Sequence, residues 1–256
     1  SVCKSRSMFT QINILVKDKK RKAKTMSENS CWDLVDALVG NSPRVLLYGP
    51  PGTGKTFVGA TSNLGKGQEV YSTTLTEESS SAELRGHFIP KDGSFVWNDG
   101  PAIQAWRTGG RLVINEIDHA SGDVLTFLHA IMDDPQIAQL TLPTDPAETV
   151  KPAKGFSVVA TTNATPDALP FALRDRFPVC INVNEVNPKA LENLSEDLRT
   201  AVKETVVTDN EERRISIRAW AEFDKLRKEH DEEMVAQAIF GHKATDVLNS
   251  LKLGEA

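Results

Sequence analysis

A parallel, five-stranded α/β sheet sandwiched by helices, with a small C-terminal α-helical lid, is the fold class that the sequence predicts. Three observations carry that expectation. Five apolar, β-rich runs alternate with helical segments over the first two thirds of the chain. One of these runs, Val45-Leu46-Leu47-Tyr48, leads directly into Gly49-Pro50-Pro51-Gly52-Thr53-Gly54-Lys55-Thr56, a complete G-x-x-x-x-G-K-[ST] stretch. From about Asn187 onward the pattern becomes wholly helical.

Taken in order, the elements have local causes. Residues 1–29 read as a basic, flexible leader: eight Lys and Arg face the single acid Asp18 within the first 26 residues. A nucleic-acid arm is one reading of that run, and a solvated leader is the other. Ser30 is placed to cap a short helix whose Trp32, Val35 and Leu38 share a face and which stops at Gly40. Residues 30–185 then form the nucleotide-binding core. Its further strands are expected at Glu69–Thr73, Leu112–Ile114, Phe156–Thr161 and Val179–Val183. Two hairpins should project from it, one over Phe88–Trp97 about the Lys91-Asp92-Gly93 turn, and one between Ile137 and Lys151. Phe95 and Trp97 are expected to pack within the first. Residues 186–256 form the lid, with helices near 188–207, 216–229, 231–240 and 243–252.

The 256 residues, 39% of them hydrophobic, are enough for one core and a small accessory unit. No apolar run reaches the length of a membrane span, and no secretory pattern opens the chain, so a cytoplasmic protein is expected. Cys3, Cys31 and Cys180 are far apart with no C-x-x-C pair, which argues against a disulfide framework or a zinc site and for reduced packing residues.

The chemistry starts at the glycine-rich loop. Gly49, Gly52 and Gly54 let successive N–H groups point at one anion, with Pro50, Pro51 and Thr53 completing the turn and the following helix adding its positive end. Lys55 is expected at the β- and γ-phosphates of ATP, and Thr56 on Mg²⁺. A second constellation ends the strand Leu112-Val113-Ile114, where Asn115-Glu116 occupy the place of a magnesium-side acid and a water-activating base. Glu116 is the natural general base. Asn115 takes the metal position without a charge, and Asp118 is a candidate to supply it.

Downstream, Val158-Val159-Ala160-Thr161-Thr162-Asn163 and Leu173-Arg174-Asp175-Arg176-Phe177-Pro178 complete an order of motifs that resembles the AAA+ ATPases, a branch of the P-loop nucleoside triphosphatases. Glu83-Leu84-Arg85-Gly86, then Gly93-Ser94-Phe95 through Gly100-Pro101, then Asn115-Glu116-Ile117-Asp118-His119-Ala120 are similar to patterns of the MoxR-like, helix-2-insert clade. The resemblance runs from roughly residue 31 to 230. It implies a sensor 1 role for Asn163, an arginine finger at Arg176 reaching a neighbouring subunit, a helper role for Arg174, and a sensor 2 role for Arg218 in Ser216-Ile217-Arg218-Ala219-Trp220. It further implies a self-assembled ring, commonly a hexamer, acting as a chaperone on a protein partner of von Willebrand factor A type. Two alternatives stand beside it. A nucleic-acid-directed motor is supported by the basic leader, and a nucleotide-gated scaffold with weak hydrolysis is motivated by Asn115.

Overall fold

The computed structural model describes residues 30–254, apart from 209 and 211; the basic leader lies outside them. The chain opens with α1 (Cys31–Leu38), where the Ser30 hydroxyl accepts from the Trp32 amide at 3.2 Å and so satisfies one of the helix's free donors. Cys31, Trp32 and Val35 form its buried face, with Leu38 half-buried. The core follows as β1 (Arg44–Tyr48), α2 (Lys55–Thr61), β2 (Val70–Thr74), α3 (Ser81–Arg85), β3 (Gly86–Lys91), β4 (Ser94–Asp99), α4 (Pro101–Thr108) and β5 (Arg111–Asn115). It continues with α5 (Gly122–Ile131), β6 (Leu140–Leu142), β7 (Glu148–Val150), β8 (Ser157–Thr162), α6 (Phe171–Arg174) and β9 (Val179–Asn182).

Five strands make one parallel sheet in the order β2-β5-β8-β1-β9. Because side chains alternate along a strand, Leu46, Leu112, Ile114, Val158 and Ala160 face one layer, with Trp106, Val124 and Leu128. Val45, Leu47, Val159 and Ile181 face the other, with Trp32, Val35 and Val58. Crossovers at both faces bury β5 and β8 along their whole length. The carboxyl ends of β1, β5 and β8 consequently open on one edge, and loops leaving that edge carry the polar residues.

Both hairpins form. β3 pairs with β4 from Gly86–Asp99 to Lys91–Ser94, between α3 and α4, and β6 pairs with β7 ahead of β8. Trp97 packs edge-on against Phe88 with ring centroids 5.3 Å apart, but Phe95 is 76% exposed. The cysteine expectation holds in part: Cys31 is buried, whereas Cys180 is exposed at the outer strand β9, and Cys3 lies outside the described residues.

Beyond β9 come α7 (Pro188–Glu192), α8 (Arg199–Val206), α9 (Ile217–Leu226), α10 (Glu232–Phe240) and α11 (Ala244–Gly254). They enclose a separate apolar cluster in which Trp220, Phe223 and Phe240 meet edge-on or tilted at centroid distances of 4.9 to 6.1 Å. The single helix expected over 188–207 is two. Ser195 leaves the helical path to donate its amide to Asp224 Oδ2 at 3.0 Å, and a short 3₁₀ turn, Glu196–Leu198, restarts the chain as α8. No helix among the described residues is long and apolar enough to cross a membrane.

Candidate nucleotide-binding site

The glycine-rich loop lies at the end of β1. Gly49 has φ 130°, and a Cβ there would stand 2.7 Å from the Val183 carbonyl oxygen; at Gly54, with φ 102°, a Cβ would make only ordinary contacts, 3.8 Å from Asn187 Cβ and 3.9 Å from the Trp32 ring, so only its backbone conformation demands glycine. That conformation turns the chain into α2, whose first residue is Lys55. The Lys55 ammonium is buried and donates to Gly49 O at 2.8 Å, Pro50 O at 2.8 Å and Asn163 Oδ1 at 3.0 Å. Burial lowers its pKa to about 8, with the negative charges of Glu116 and Asp118 pulling it back up.

Across the edge, β5 delivers Glu116 in a left-handed backbone conformation, φ 54°, unusual for a residue with a side chain. Asn163, just past β8, donates through Nδ2 to both Glu116 oxygens at 3.1 and 3.0 Å. Lys55, Asn163 and Glu116 therefore form one hydrogen-bonded line, with the amide oxygen toward the cation and the amide nitrogen toward the carboxylate. Asp118 and His119 follow on the same turn, and their donor atoms lie within 4.8 Å of one another and of Glu116.

Asn115 is placed differently from the metal position expected of it. It is buried, its Nδ2 donates to Ser72 Oγ at 3.3 Å and Thr73 O at 3.2 Å, and its Oδ1 accepts from Thr161 Oγ1 at 3.2 Å. The amide ties β2 to β8 and is not among the residues lining the cavity.

That cavity, about 560 Å³, is walled on one side by Pro51 through Phe57, Glu116, Thr161 and Asn163. The C-terminal helices supply the other wall through Asn187, Lys189, Ala190, Asn193, Ile217 and Arg218. Thr56 and Arg218 are thus both at the cavity. The two walls touch at Gly52, where an added Cβ would be 3.1 Å from Ser216 Cβ. Asn187, Lys189 and Asn193 were not expected here. Asn187 caps α7 by accepting from the Lys189 amide at 2.9 Å, and the Asn187-Pro188 pair just after the last strand is the helix-start signal that could have located them. Arg174 and Arg176 do not line this chain's cavity. Arg176 pairs with Asp133 at 3.4 Å; Arg174 pairs with Asp167 and lies over the Phe171 ring, 5.6 Å from its centroid.

The family model described as AAA domain (dynein-related subfamily) matches residues 44–177, from the start of β1 to the residue after Arg176. The chain belongs to this family. NorQ of Paracoccus denitrificans is 36% identical over 129 residues, spanning 50% of this chain and 46% of NorQ, so the match takes in about half of each protein. An uncharacterized protein of Staphylococcus haemolyticus is 28% identical over 258 residues, covering 83% of this chain and 95% of its own. NtrX from Brucella abortus shares the fold, with a TM-score of 0.55 at 16% identity over 88% of this chain and 57% of the NtrX chain. Within the AAA+ class the chain is a MoxR-like ATPase.

Proposed function

We propose that this AAA+ protein hydrolyses ATP with Mg²⁺ at the interfaces of a ring, as a hexamer, and converts the cycle into remodelling of a protein partner. The observation that carries the reading is the line from Lys55 through Asn163 to Glu116, inside a cavity closed on its far side by Arg218. In functional terms, residues 30–185 act as the core and 186–256 as the lid.

The donor set suits a hard cation. Magnesium takes oxygen ligands and leans on the nucleotide for several of them, and Thr56 and Glu116 present oxygens to the cavity while Asn115 does not. Bound there, the ion would neutralise charge on the β- and γ-phosphates. The chain's own groups do the rest. Loop amides and Lys55 oppose phosphate charge, which requires Lys55 to exchange its carbonyl partners for phosphate oxygens. Glu116 orients the attacking water and accepts its proton, and Asn163 fixes the carboxylate that does so. Arg218 senses the nucleotide from the lid. Arg176, with Arg174 beside it, completes a neighbour's site in trans.

The proposed partner is of von Willebrand factor A type, the class that the MoxR-like resemblance implies. Capture with a Glu116→Gln variant, which should hold ATP without turnover, tests the reading: nucleotide-dependent retention of such a protein supports it. Stimulation of turnover by DNA or RNA, with no protein retained, would replace it with a nucleic-acid motor.

A further inference from the structure

Arg111 opens β5, a strand hydrogen-bonded on both sides, and its side chain is fully buried. No carboxylate among the described residues pairs with it. Its partners are backbone carbonyls: Nη1 donates to Gly59 O at 3.1 Å and Ser62 O at 2.6 Å, and Nη2 to Asn63 O at 3.1 Å. Its Nε finds no partner among the described residues. An aliphatic residue would suit a central strand better, since burying a guanidinium without a counter-charge is expensive.

What the cation holds is the C-terminal end of α2. That helix has seven residues and is only about 10 Å long, so its last carbonyls are without helical partners and its negative end is close by. A guanidinium there satisfies the carbonyls and complements the dipole. The same helix carries Lys55 and Thr56 in its first turn, and the strand that Arg111 begins ends at Asn115, with Glu116 the next residue. One side chain therefore fastens the far end of the phosphate-binding helix to the far end of the strand bearing the base. Gly40 closes the grip from outside: a Cβ there would stand 2.3 Å from Asn63 O and 3.2 Å from Arg111 Nη2.

We infer that Arg111 is a positioning residue for nucleotide binding, fixing α2 against β5 so that Lys55 and Glu116 face one another across the cavity. This rests on the ATPase reading above. The test is calorimetric ATP affinity together with Tm for the parent, Arg111→Met, Arg111→Lys and Gly40→Ala, with Leu142→Ala as a control that opens a hole in the main core layer without touching the cavity lining.

At temperatures where each variant is folded, Arg111→Met should weaken ATP binding about tenfold, a coupling of the size carried between packed elements. Arg111→Lys should recover most of that loss, Gly40→Ala should weaken binding in the same direction, and Leu142→Ala should lower Tm without changing affinity. If Arg111→Met does not fold, Arg111→Lys and Gly40→Ala carry the comparison. Lowered Tm with parental affinity throughout the Arg111 and Gly40 variants would make the grip purely structural and overturn the inference. A parent that binds no ATP would sink the ATPase reading itself, and that result is seen before any substitution is made.

Discussion

Lys55 and Arg176 are both cations expected to oppose the same phosphate charge, yet the fold holds them in opposite ways. Lys55 is buried, bonded to its own loop and joined through Asn163 to Glu116. Arg176 stands about one third exposed at the α6 corner, in a 3.4 Å ion pair with Asp133 and outside the cavity. On α6 itself, Arg174 lies over the 73% exposed ring of Phe171. Such a contrast is expected of a site whose first half is assembled within one chain and whose second half comes from the next. Half-exposed ion pairs are weak, so Arg176 can leave Asp133 at little cost, whereas Lys55 gives up its two loop carbonyls only in exchange for phosphate oxygens.

The largest effect should separate the two halves. Arg176→Ala should lower ATP turnover by roughly 10³-fold, the scale of trans arginines in phosphoryl transfer, while calorimetry finds its ATP affinity nearly unchanged. Unchanged turnover would take Arg176 out of the site. Lys55→Ala should do the reverse to binding, weakening ATP by about 100-fold as two or more charge-assisted hydrogen bonds are lost, with the circular dichroism spectrum preserved.

A pH titration reports on the buried half of the site, because burial brings the Lys55 ammonium into an accessible range. With the Lys55 pKa at about 8 in the empty site, ATP affinity should be flat below that pH. Above it, affinity should fall toward about tenfold per pH unit, since the phosphates must recruit a proton to bind. Stability moves the other way. The unfolded chain keeps that proton up to the ordinary lysine value while the folded chain releases it, so this group's contribution to the stability of the nucleotide-free protein rises with pH between the two values. Calorimetry in buffers of different ionisation enthalpy at pH 9 should detect proton uptake on ATP binding, and its absence would contradict the shift.

Asn115→Asp should have the smallest effect on catalysis. A carboxylate at that position would set an oxygen against Thr73 O and lose the donor to Ser72, so the expected result is a loss of about 1–3 kcal/mol in stability with no gain in turnover. A rise in turnover and in Mg²⁺ dependence would show that the side chain swings into the cavity when nucleotide binds.

The parts of the site that were legible in the sequence are those written in contiguous residues. The run from Gly49 to Thr56 needs only its own backbone to make an anion cradle, and β1, β5 and β8 announce themselves as apolar runs ending in Gly49, Asn115 and Asn163. Strand ends fell within a residue or so of expectation, and the β3–β4 hairpin followed from its Lys91-Asp92-Gly93 turn. What stayed hidden depends on partners far away in the chain. Asn115 turns from the cavity because Ser72 and Thr161 capture its amide from two other strands. The break in the 188–207 helix depends on Asp224, and the role of Arg111 depends on carbonyls at Gly59, Ser62 and Asn63. Lys189 reaches the cavity only because the C-terminal helices fold back over the glycine-rich loop.

Complementation between the two halves tests the central claim most directly. Glu116→Gln spoils the half of the site within its own chain, and Arg176→Ala spoils only what a chain gives its neighbour. Each variant alone should be nearly inactive. Mixed in equal amounts and allowed to exchange subunits, they should regain turnover, because roughly one head-to-tail interface in four then joins an intact Glu116 to an intact Arg176. Recovery of about a quarter of parental ATPase activity is the predicted result, and a mixture as inactive as its components, with subunit exchange demonstrated, would contradict a site completed in trans.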